Sequence, residues 1–164
     1  MKETERLAAE LEHSLNGGAW HGPALLELLA AVTPDDAAKH PINGWHSIWE
    51  LVNHIVIWQD IGRRRLTGDP AQVEIGGPND WPEPKDGSAA GWAAAIGALR
   101  SSTASLAAAI RAMPEDRLDQ PILENMSTAY HTLHGVVQHN LYHAGQIAAL
   151  KRAIGMPAVD PSVS

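Results

Sequence analysis

Wherever this chain is apolar, its apolar residues return every three or four positions, and nowhere do they alternate for long. That spacing is one face of an α-helix, so it confines the 164 residues to an all-α fold. Leu7, Leu11 and Leu15 follow at strict i+4 spacing, and Asn16-Gly17-Gly18 stops that helix. Pro23 stands where a first helical turn tolerates it, and Leu25, Leu28, Leu29 and Val32 continue an apolar face. Residues 1–32 thus read as one long interrupted helix or two stacked pieces. Thr33-Pro34-Asp35-Asp36 opens a short turn, and Pro41 to Gly44 reads as a loop.

The spacing predicts a second helix from about Ser47 to Leu66. Ile48, Trp49, Leu51, Val52, Ile55, Ile57, Trp58 and Ile61 occupy most of its circumference, as in a helix buried by several neighbours. Residues 67–91 hold five glycines and four prolines. So long a connection is uncommon in a compact domain. It can return along a helix of about 30 Å and set the next helix parallel to the second. In the third helix, about 89–112, Trp92, Ile96, Leu99, Thr103, Leu106, Ile110 and Met113 form a heptad seam among small alanines. The fourth, about 128–154, is closed by Gly155 with Pro157 behind it. The expected architecture is one domain, residues 1–164, built as a four-helix bundle with a long crossover between helices two and three.

Charge and composition narrow the partners. With 12 Lys+Arg against 19 Asp+Glu the net charge is −7, and binding phosphate takes a basic face, so no nucleic acid is expected. The absence of cysteine excludes disulfides, thiolate metal sites and a cysteine nucleophile. MKETERLAAELEH has no apolar core of a signal peptide, and Glu27, Asn53, Gln59 and Arg63 interrupt the longer apolar runs. A cytoplasmic protein without a membrane partner is the expectation.

Nine histidines, nearly as many as Lys+Arg, are the unusual item. His139 and His143 lie one helical turn apart in QHNLYHAGQI, on the border of the apolar face, where two imidazoles can close on one metal ion. His54, in WELVNHIVIW, is by itself an ordinary buried histidine. Joined to the pair it completes a three-histidine set from two helices, a way in which bundle cores build metal sites. Three neutral imidazoles leave a fourth position open, the mark of a reactive site rather than a structural one. The zinc-protease signature His-Glu-x-x-His does not occur. Glu50, one turn before His54, either orients an imidazole from behind or is a plain surface carboxylate. His131 and His134 point to the polar side. His13 and His40 read as solvated, His21 as a helix-entry residue, and His46 as an outside candidate for lining a pocket. Arg63, Arg64 and Arg65 suit a helix C-terminus; the alternative is a clamp for an anionic co-substrate.

With these residues in place, the chain resembles the DinB superfamily of DinB/YfiT-like metalloenzymes. AWHGPALLELL, HSIWELVNHIVIW and HNLYHAGQIAALKR carry the resemblance, with RLTGD and the DWP of the crossover. It implies a four-helix bundle in up-down-down-up order with a divalent metal, commonly nickel or zinc, on three histidines. That motif falls on His54, His139 and His143, and Gly145 and Gln146 match the small-polar step after the last ligand. The family name does not indicate DNA binding. Dimers are common in the family, so a homodimer is implied. Characterised relatives include S-transferases and an isomerase that use low-molecular-weight bacterial thiols. The resemblance thus implies a metal-dependent transferase acting on a small molecule, and the absence of cysteine makes any thiol a substrate from outside. The alternatives are a small-molecule hydrolase in which the ion activates water, and a stress or binding protein whose ion only braces the helices.

Overall fold

The computed structural model describes residues 1–159, and among them every regular element is helical. Six α-helices follow in order: α1 (Glu3–Asn16), α2 (Leu25–Leu29), α3 (Pro34–Ala37), α4 (Ile48–Leu66), α5 (Ala89–Ala112) and α6 (Ala129–Ala153). A 3-10 turn, Glu115–Asp119, lies between the last two. The amino-terminal stretch is therefore two pieces. Gly17, at φ 128°, ends α1 in a conformation that side chains resist. Pro23 falls outside the second piece, which starts at Leu25 with the Ala24 N–H donating to the Glu27 carboxylate at 2.6 Å. Thr33-Pro34-Asp35-Asp36 is a one-turn helix rather than a plain turn. The Thr33 hydroxyl caps it, and Pro34 supplies the fixed φ that a first position favours.

The four long helices make the frame, α1 and α4 each packing against both α5 and α6. Trp49 meets Trp92 edge to face, Gln59 meets Ser102 and Thr103, and Gly62 faces Leu106, so residue numbers rise together along α4 and α5. Along α4 and α6 they run oppositely, with His54 against His143, Trp58 against His139 and Gly62 against Val136. The heptad seam of α5 is buried at Trp92, Leu99, Thr103, Leu106 and Ile110, with Ile96 and Met113 half-buried. By length and composition α5 is also long and apolar enough to cross a membrane, although Arg100, Ser101 and Ser102 interrupt its apolar run.

The core is two apolar clusters. One gathers α2 with the first half of α4, Trp92, Leu99 and the end of α6; the other gathers α1 with Leu106, Ile110, Leu118 and the start of α6. A buried polar chain ties the long helices together. Ser102 and Thr103 donate to Gln59 Oε1, Gln59 Nε2 donates to Asn140 Oδ1 at 3.4 Å, and Asn140 Nδ2 donates to Ser14 Oγ. Gln59 and Asn140 have no solvent exposure, so these bonds replace water entirely. Asn140→Ala should cost about 2–3 kcal/mol, because it strands a Gln59 donor and a Ser14 acceptor in the core. The midpoint of urea unfolding should drop with its slope unchanged. A midpoint within error of the parent would show that the chain of bonds contributes nothing.

Candidate metal centre

Local sequence sets which way each helix turns its histidines. Ser47 caps α4, its hydroxyl accepting from Glu50 N while the Glu50 carboxylate accepts from Ser47 N. The cap fixes where α4 starts, and seven residues on His54 faces the core, 5 % exposed. Thr128 caps α6, its hydroxyl accepting from His131 N. His139 and His143 follow on one side of that helix, as the i, i+4 spacing predicts.

Their Nε2 atoms converge. His139 Nε2 lies 3.0 Å from His54 Nε2 and 3.0 Å from His143 Nε2, and all three ligand atoms fall within 4.8 Å of one another. Two of the Nδ1 atoms are held from behind. His54 Nδ1 donates to Asp80, 2.8 Å from its carbonyl and 2.9 Å from its carboxylate. His143 Nδ1 donates to Gln146 Oε1 at 2.6 Å. With those protons on Nδ1, His54 and His143 aim lone pairs at His139. His139 Nδ1 is itself buried with no partner among the described residues.

This donor set fits a divalent cation. Four-coordinate ligands at about 2.1 Å from an ion stand about 3.4 Å apart, so the two 3.0 Å separations need widen by only a few tenths of an ångström. Burial first, then the neighbouring imidazoles His143 and His54, pushes His139 down to about 3. Burial also pushes His143 down to about 4 against the opposing Gln146 bond, and lowers His54 against the pull of Asp80. All three are therefore neutral near pH 7, the state that binds metal. Among the described residues no fourth histidine, aspartate or glutamate joins the group.

Asp80, in the DWP of the crossover, stands behind His54, a contact that sequence reading misses. It sits in the crossover, 2 % exposed, and its carboxylate also accepts from Trp58 Nε1 and Gly76 N, both at 2.8 Å. Gly76, at φ 79°, is in the left-handed region where a backbone N–H can turn back onto that carboxylate. Trp81 lies flat between two imidazoles, 3.7 Å from His54 and 3.6 Å from His46. The crossover thus closes one side of the site. Asn53 pins it there by donating to Pro82 O.

The Glu50 expectation needs correcting. Its carboxylate accepts from Ser47 and pairs with His40 at 2.8 Å and with His46 at 3.7 Å, and it touches none of the three converging histidines. Burial pushes its carboxyl up, but the Ser47 N–H and hydroxyl and His40 together hold it below the usual range. His46 lines a cavity of about 250 Å³ with Trp81, Tyr142, His143 and Gln146. A second cavity, about 220 Å³, opens beside Trp58 and His139. His13, His21, His40 and His131 are exposed. His134 is half-buried rather than on the polar surface, its ring 4.4 Å from Tyr130 and its Nδ1 3.8 Å from Glu10.

No curated protein and no solved structure matches the chain. The sequence profile of the DinB superfamily matches residues 19–147, a span holding α2 to α5, most of α6 and all three converging histidines. The chain belongs to the DinB superfamily.

Proposed function

We propose that this protein is a divalent-metal transferase, built as a four-helix bundle in up-down-down-up order, that joins a small thiol to an electrophilic small molecule. One observation carries the reading: three neutral imidazoles converge through Nε2 beside two cavities, with no fourth protein donor among the described residues. His54, His139 and His143 would hold the ion, nickel or zinc by the habit of the family. Such an ion, when bound, lowers the pKa of a coordinating thiol and keeps it as thiolate near neutral pH. The chain has no cysteine, so that sulfur belongs to a substrate.

Asp80 and Gln146 hold two rings in the tautomer that offers Nε2 inward. Trp81 covers His54 and keeps water from that side. His46, facing the cavity beside His143, is the group placed to accept the proton a thiol releases. A homodimer is part of the proposal. A second reading, a metal-dependent hydrolase, is favoured by one contact: His46 stands 3.7 Å from Glu50, a pair that can relay a proton from the cavity outward.

Metal analysis of the purified protein, followed by assays with several bacterial thiols and a chromogenic electrophile, tests both. The transferase reading expects one nickel or zinc per chain and product formation that requires thiol. Thiol-independent cleavage of ester or amide substrates would favour the hydrolase. A metal-loaded protein inert in both assays would leave the ion as a brace only.

A further inference from the structure

We propose that the groove between α4 and α6 beside His139 binds an elongated, apolar-bodied substrate with one carboxylate, and that Arg65 recognises that carboxylate. This rests on the metal reading of the histidine group. The groove is lined by one face of each helix, from Trp58 and His139 at one end to Arg65 and Thr132 at the other. Seven helical residues separate Trp58 from Arg65, about 10 Å along the axis. A molecule of that length reaches from the converging imidazoles to the guanidinium.

The three arginines that end α4 are not equivalent. Arg63 pairs with Asp60 and Arg64 with Asp69, each at 2.7 Å. Arg65 has no carboxylate partner among the described residues. Its Nε donates to Ala71 O at 3.1 Å, which steadies the guanidinium and leaves both Nη groups for a ligand. One unpaired guanidinium matches one negative charge. A phosphate dianion would keep a charge uncompensated in a protein already at −7.

Glycine at 135 supports the assignment. It lies inside α6, where glycine is less favourable than alanine, yet an added Cβ there would meet nothing within 4 Å. Packing does not require the missing side chain. The groove does, because Gly135 lines it.

Titration calorimetry on the Ni2+-loaded protein tests this with mercaptooctanoate and its uncharged amide. The acid should bind at least about tenfold more tightly than the amide, the usual worth of a hydrogen bond to a charged partner. Arg65→Gln should erase that preference and Arg65→Lys should keep part of it, with metal stoichiometry unchanged in both. Gly135→Leu should abolish binding of both long probes while mercaptoethanol still binds, in a helix that leucine favours. Equal affinity for acid and amide in the parent, or a preference that survives Arg65→Gln, overturns the proposal. If the parent takes up no stoichiometric Ni2+, the metal reading fails, and octanoate against octanamide on the metal-free protein then decides the groove by the same criterion.

Discussion

Replacing His54 with alanine should abolish stoichiometric Ni2+ or Zn2+ binding and leave a folded, helical chain. His54 is the only one of the converging imidazoles on α4, so its loss leaves two ligands one turn apart on α6. Two imidazoles on one helix chelate weakly, and the affinity should fall below what survives gel filtration. Folding should survive because alanine suits a helix interior and the change relieves a site where buried nitrogens crowd within 3.0 Å. Asp80→Ala makes the graded comparison. It spares all three ligands but frees the His54 ring, and losing a partner behind a ligand costs roughly 10–100-fold in metal affinity. Elemental analysis and circular dichroism of the three proteins check the series. Unchanged metal content in His54→Ala would sink the site, and an unchanged affinity in Asp80→Ala would sink the role given to the crossover.

What could be seen in advance follows from where each interaction is encoded. The α5 seam and the His139–His143 pair repeat at helical spacing, so they are legible from the chain alone. His54 becomes legible only beside that pair, because a single buried histidine has no periodic partner. Asp80 lies 26 residues from His54 in a stretch with neither period, so nothing local ties the two. Glu50 is claimed by two local rules at once. The i, i+4 rule puts it on the face of His54, but Ser47-x-x-Glu50 is also a capping-box signature, and the helix terminus claims the carboxylate first. Gln59 reads as a polar interruption because its partners stand on other helices, which only the packed frame brings together.

Metal-free protein should lose stability as the pH falls from about 7 to 5, and added metal should offset that loss by a nearly constant amount. An unfolded histidine takes a proton near pH 6.5, whereas His139 is held down to about 3 and His143 to about 4, mainly by burial, and His54 is lowered too. Below 6.5 the unfolded chain therefore binds protons that the folded chain refuses, and stability falls with pH. Each such histidine contributes a slope approaching about 1.4 kcal/mol per pH unit, which levels off once the pH passes its folded pKa. Carboxylates held below their usual range, Glu12, Asp36, Glu50 and Asp86, also destabilise on acidification, but only from about their ordinary values of 4.5 and 3.8 downward. The window from pH 6.5 to 5 thus isolates the histidines. At pH 7.5 an ion bound only by the native state at a hundred times its Kd should add about 2.7 kcal/mol, and a chelator should take it away. Thermal melts across this range, with and without Zn2+, read both effects. Replacing His54, His139 and His143 together by alanine should flatten the profile between pH 6.5 and 5. A parent protein already flat there would mean that these imidazoles are not buried neutral in the fold.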